Sequence, residues 1–157
     1  MQRRPLQPSD YEFITSVVDD WWGGRAVHQL LPRLFFEHFN SNSHVLIEAD
    51  KIIGFLVGFR SQSQPHVAYI HFIGIDPAHR GQGLGRTLYL HFFAQMKSLG
   101  CTQASGITSP LNKASIAFHR QMGFDIVNGD EVMDDISVHR NHAGPGQHRV
   151  LFCKNLQ

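Results

Sequence analysis

With 157 residues, 42% of them hydrophobic, and a formal charge of +1, the chain has the material for one packed domain, residues 1–157. It has no general attraction for nucleic acid or anionic membranes. Two cysteines, Cys101 and Cys153, fit neither a disulfide framework nor a metal spacing, and no apolar run approaches a membrane span. The basic N-terminus has no apolar stretch behind it, so no leader is expected and the protein is expected to be cytoplasmic.

In chain order, Arg3 to Leu6 reads as a short strand and Pro8-Ser9-Asp10 as a turn that caps a helix. Phe13, Ile14, Val17 and Val18 recur on that helix at helical spacing. Trp21-Trp22-Gly23-Gly24-Arg25 ends it, and a second helix is predicted from Leu30 to Phe39. The period then shortens. His44–Glu48 and Ile52–Phe59 are β-branched and aromatic, with Asp50-Lys51 as a hairpin turn, and Val67–Ile75 is a further strand closed by Asp76-Pro77. Leu84, Leu88, Phe92, Met96 and Leu99 define a helix stopped by Gly100. Gln103–Thr108 reads as a strand, Asn112–Met122 as an Asn-capped helix before Gly123, and Phe124–Val127 and Arg149–Lys154 as closing strands. The expected class is α/β (α+β), a sheet with helices on its faces. His139, His142 and His148 lie close in sequence but lack cysteine partners, so no metal is expected.

The most informative segment is Arg80-Gly81-Gln82-Gly83-Leu84-Gly85-Arg86, where glycines at every second position run from a strand into a helix. Glycine lets the backbone approach a ligand and take up positive φ. A helix start leaves unpaired N–H groups and partial positive charge. The combination suits a pyrophosphate, with Arg80 and Arg86 flanking it. The spacing is neither that of the Walker loop nor the dinucleotide fingerprint.

This segment resembles the pyrophosphate loop of the GNAT N-acetyltransferase superfamily. A second segment, from Asn112 through Ser115, Phe118 and His119 to Gly123-Phe124, resembles the same family's later helix. The resemblance implies a mixed, mostly antiparallel sheet splayed between its two central strands. It also implies acetyl-CoA as co-substrate and direct transfer to a primary amine, with a homodimer possible. By resemblance, Phe72, Ile73 and Ile75 would bind the pantetheine arm through their backbones. Residues Arg80, Gly81, Gln82, Gly83, Leu84, Gly85 and Arg86 would hold the pyrophosphate, with Asn112 and Ser115 facing the cofactor from the other side. His119 stands where many members carry a tyrosine that protonates the departing thiolate. That departure leaves open a non-catalytic acyl-CoA-binding module as the alternative.

The chemistry needs a neutral amine, whose ordinary pKa of about 10.4 for a lysine-like group calls for a base or water relay. It also needs a donor for the developing oxyanion, expected near Ile73. Strict alternation puts His71 and Tyr69 on the side of Ile73, which makes His71 the candidate base. Proximity alone can drive much of such a transfer. The acceptor is expected at Trp21 and Trp22 and at the long segment Asp130–His148. There Asp134 and Asp135 would attract a small cationic amine.

Overall fold

A computed structural model describes residues 1–157. Four antiparallel strands open the sheet: β1 (Gln2–Pro5), β2 (His44–Glu48), β3 (Lys51–Arg60) and β4 (Val67–Ile75). Strand β5 (Gln103–Thr108) lies parallel to β4, and β9 (Val150–Asn155) pairs antiparallel with both β5 and the two-residue β6 (Asp125–Ile126). The seven-stranded order is β1-β2-β3-β4-β5-β9-β6.

Helices α1 (Tyr11–Trp21) and α2 (Leu34–His38) cover one face, and α3 (Leu84–Ser98) and α4 (Lys113–Gln121) the other. Helix α1 buries Ile14, Val18 and Trp21, one stripe at helical spacing, against Val45, Phe55, Val57 and Phe72 of the sheet. Helix α3 buries Leu84, Leu88, Tyr89, Phe92, Phe93 and Met96 against Leu56, Ala68, Ile70 and Ala104. No helix is long and apolar enough to cross a membrane.

Strands β4 and β5 pair only at Val67–Gln103, Ala68–Ala104 and Tyr69–Ser105, and beyond Tyr69 they part. The register of β3 on β4 shifts at the same level, with Gly58 opposite Ile70 but Val57 opposite Phe72, leaving His71 as the extra residue of a bulge. The bulge reverses the phase of β4. The Val67 carbonyl accepts from Ser61 N on the β3 side, whereas beyond the bulge it is Asp76 N that bonds to the Ile53 carbonyl. By alternation back from Asp76, the peptide groups of Gly74 and Phe72 face β3, and those of Ile73 and Ile75 face the opening. Thus the sheet places a row of peptide groups along one wall of a wedge.

Three predicted elements change. The expected helix 30–39 is a 3₁₀ turn, His28–Leu30, followed by the short α2, because Pro32 disfavours helical backbone at Leu31. The turn joining β2 to β3 is Ala49-Asp50, both at positive φ, so Lys51 already belongs to β3. Residues 130–148 are not one irregular loop. They contain a hairpin of β7 (Glu131–Met133) and β8 (Ile136–Val138), turned by Asp134 and Asp135 at φ 50° and 63°.

Candidate active site

The wedge between β4 and β5 opens into a cleft of about 860 Å³, walled by the α1–α2 turn, β4, the start of α3 and one side of α4. The glycine-rich loop forms its floor. Asp76 closes β4 by accepting from Ala78 N, and a 3₁₀ turn of Pro77–His79 leads to Arg80. Gly81 and Gly83 then take φ of 78° and 74°, a conformation that costs an L side chain roughly 1–2 kcal/mol, and neither would find an atom within 4 Å of an added Cβ. Helix α3 starts without a side-chain cap, and its first internal bond runs from Thr87 N to the Gly83 carbonyl. The amides of residues 81 to 86 therefore make no hydrogen bond within the chain. Six consecutive unpaired N–H groups at a helix start are a receptor for an anion. All of the predicted cradle except Gln82 lines the cleft.

Arg80 does not point at that floor. Its guanidinium donates to the Trp21 carbonyl, tying the end of α1 to the loop. Trp21 is buried against Phe55 and Phe13, and Trp22 lies on Phe72 with ring centroids 4.6 Å apart. The Trp22 indole N–H donates to the Ile73 carbonyl at 3.0 Å. Ile73 and Ile75 both line the cleft, but Phe72 does not: its ring belongs to the α1 face and its peptide groups turn to β3. The phase set by the bulge excludes it from the row of backbone contacts.

The same bulge defeats the alternation that paired His71 with Ile73. Ile73 packs towards α3 and α4, while His71 stacks on Phe35 at 4.1 Å and donates through Nε2 to the Leu30 carbonyl, beneath α2 and away from the cleft lining. Burial pushes its pKa down, partly offset by that carbonyl.

Across the cleft, Asn112 caps α4 by accepting from Ser115 N at 3.1 Å, and both residues line the opening. His119 lies one turn further, 6% exposed and stacked on Phe152 at 4.3 Å. Its Nδ1 is 2.7 Å from the Ser115 carbonyl, so the proton resides there; two facing lone pairs would repel at that distance. Nε2 then accepts from the hydroxyl of Tyr89, which is 1% exposed, at 2.9 Å. Burial holds the imidazole below its ordinary pKa, against a smaller pull from the Ser115 carbonyl, and burial lifts the Tyr89 phenol. Both ring nitrogens are therefore engaged, and His119 is a neutral strut between α3 and α4.

Asp134 and Asp135 lie at the hairpin tip outside the cleft lining, where Asp134 pairs with Lys113 at 3.2 Å. What sequence reasoning missed is the Tyr89–His119 contact and the role of Arg25 in the lining. Helical periodicity placed Leu88 and Phe92 in the core but offered no signal for Tyr89. The charged side chains on the cleft are Arg25, Arg80 and Arg86, with no Asp or Glu.

A sequence model of the acetyltransferase (GNAT) family matches residues 11–124. A mycothiol acetyltransferase of Mycobacteroides abscessus is 26% identical over 132 residues, covering 80% of this chain and 45% of that protein. An L-2,4-diaminobutyric acid acetyltransferase of Shouchella clausii is 28% identical over 86 residues, 55% of this chain and 48% of that protein. The chain thus spans about half the length of these curated relatives. The crystal structure of Ard1 from Thermoplasma volcanium superimposes with a TM-score of 0.79 at 17% identity, covering 99% of this chain and 97% of that one.

Proposed function

The chain belongs to the acetyltransferase (GNAT) family, and on that premise we propose that it transfers the acetyl group of acetyl-CoA to the primary amine of a small acceptor. The observation that carries the reading is the run of six unpaired amides, residues 81–86, at the floor of a cleft between two parted strands. Each of these features has a counterpart in acetyl-CoA. The amides suit the pyrophosphate, the left-handed glycines open onto free space, and the peptide groups of Ile73 and Ile75 run along the wall beside an extended amide-bearing arm.

Acetyl-CoA supplies an acetyl group activated as a thioester. Residues 81–86 anchor its phosphates, and Ile73 and Ile75 align its arm. The Ile73 N–H faces the opening and would be the backbone donor to negative charge developing on the thioester oxygen. Asn112 and Ser115 border the opposite side. The lining holds no carboxylate, His119 is engaged at both nitrogens, and His79 sits between Asp76 and Glu48 with a carboxylate oxygen at each ring nitrogen, so no side chain there is free to act as a strong base. The amine must then arrive neutral or lose its proton to water, and the proton it sheds on reacting serves the departing thiolate. Catalysis rests on positioning and oxyanion stabilisation. The same positive lining speaks against a purely cationic acceptor, which it would repel.

A non-catalytic acyl-CoA-binding module would keep the cradle without turnover; that both kinds of relative above are acetyltransferases favours transfer. The test is release of coenzyme A thiol from acetyl-CoA across a panel of primary amines. Amine-dependent release supports transfer. Binding of acetyl-CoA with no release for any amine overturns it.

A further inference from the structure

Arg25 is the charged residue on the cleft with no assigned partner. The turn that carries it is tied together through its backbone. Gly23 and Gly24 take φ of 73° and 83°, with Gly23 N bonded to the Asp20 carbonyl and Gly24 N to the Asp19 carbonyl. The Asp19 carboxylate then accepts from Val27 N and His28 N, each at 2.8 Å, and from His28 Nδ1 at 2.7 Å, closing the loop across its base. Arg25 lies inside that closure, lines the cleft, and forms no ion pair.

Position along β4 decides what Arg25 faces. The chain after α1 runs antiparallel to β4: Trp21 meets Arg80 at the pyrophosphate end, Trp22 meets Ile73, and Leu30 meets His71. The Trp22 end of this turn lies beside Ile73, and Arg25, in the same turn, lines the same cleft. An acceptor entering beside Trp22 meets an exposed guanidinium that forms no ion pair, in a lining without carboxylates. Such a fork matches a carboxylate through two parallel N–H···O bonds.

We propose that Arg25 binds a carboxylate on the acceptor, so that the substrate is a small amine of amino-acid type; this rests on the acetyl-transfer reading above. The guanidinium holds the carboxylate while the amine reaches the thioester beside Ile73, which sets orientation as well as affinity.

The test compares acid and amide forms of one amine: L-2,4-diaminobutyrate against its carboxamide, and glycine against glycinamide. A charge-assisted pair should favour at least one acid over its amide by about tenfold or more in kcat/KM. The amide's amine is the less basic and more often neutral, so this preference runs against intrinsic reactivity. In Arg25→Ala the ratio should fall to one or below with the acetyl-CoA KM unchanged, Arg25→Lys should keep part of the acid preference, and Arg25→Glu should push the ratio lower still. A wild-type ratio near one for both pairs, or an equal loss for acid and amide in Arg25→Ala, overturns the proposal. So does a raised acetyl-CoA KM with the acid preference intact, which would assign Arg25 to a cofactor phosphate. Should no amine release thiol, calorimetric titration of the same acids and amides into coenzyme A-loaded protein still decides the point. Tighter binding of the acid, lost in Arg25→Ala, upholds the carboxylate site while the transfer reading fails. Equal binding overturns both.

Discussion

The hydroxyl of Tyr89 donates to Nε2 of His119 at 2.9 Å, joining α3 to α4 through two side chains that are almost wholly buried. With Nδ1 bonded to the Ser115 carbonyl, the imidazole has no nitrogen left for a thiolate. Tyr89→Phe strands a buried acceptor and should cost roughly 1–3 kcal/mol of stability, read as a lower melting temperature. His119→Ala should likewise destabilise, and its kcat should follow the melting behaviour rather than a titration. An alanine variant that melts like wild type but loses kcat a hundredfold or so would make His119 a proton donor after all.

Gly83 carries the cradle's geometry at φ 74°, and a side chain there would project into open cleft. Gly83→Val should weaken acetyl-CoA binding by about tenfold or more, from a backbone cost of roughly 1–2 kcal/mol plus direct occlusion. The melting temperature should change far less than the affinity. Calorimetry on the folded variant checks this, and wild-type affinity would contradict the cradle.

These two sites show what the sequence made legible. The Arg80–Arg86 loop and the Asn112 cap were readable because each depends on local backbone chemistry: glycine at positive φ and an amide capping its own helix. The succession of strands and helices along the chain followed from periodicity, and the splayed, mostly antiparallel sheet from the family resemblance. His71 was misplaced because a one-residue bulge, which no local signal marks, reverses the face of everything beyond it. Phe72 was assigned to the backbone row by the family resemblance, and the phase beyond the bulge turns its peptide groups to β3 instead. The hairpin at Asp134-Asp135 escaped because its turn lacks the glycine that usually signals paired positive φ. Tyr89 gains its role from a partner distant in sequence, His119, which composition and spacing do not register.

Asp134 and Asp135 turn a hairpin outside the cleft, and Asp134 is occupied by Lys113. Neutralising both to Asn, which tolerates positive φ, should leave the amine KM within about twofold and its salt dependence unchanged. A tenfold or so rise in KM that disappears at high ionic strength would return them to the acceptor site.

Four histidines, His44, His71, His91 and His119, are held below their ordinary pKa, each chiefly by burial. The unfolded chain takes up protons near pH 6.5, the ordinary histidine value, while the folded chain resists until lower pH. The unfolded state therefore binds more protons in that window, and stability present at neutral pH declines as pH falls below about 6.5. Thermal melts between about pH 7.5 and 5.5 should show this loss, flattened in His44→Gln. A melting temperature that rises on acidification would contradict the neutral assignment.

Trp22 lines the cleft, stacked on Phe72 and bonded to Ile73, and on the proposed reading it borders the acceptor. Trp22→Ala should raise the amine KM about tenfold with little salt dependence, since the lost contact is apolar. Trp22→Phe should keep much of the affinity, and steady-state kinetics at two ionic strengths distinguish the outcomes.

The central claim is that the acetyl group passes from the thioester to a nitrogen within this cleft. Acetyl-CoA labelled with carbon-13 in the acetyl group, incubated with protein and a carboxylate-bearing amine, tests it by mass spectrometry of the products. The account predicts labelled N-acetyl amine formed one for one with free thiol, and its loss in Gly83→Val. Label recovered only as acetate, or retained on coenzyme A while the protein binds it, would contradict the account.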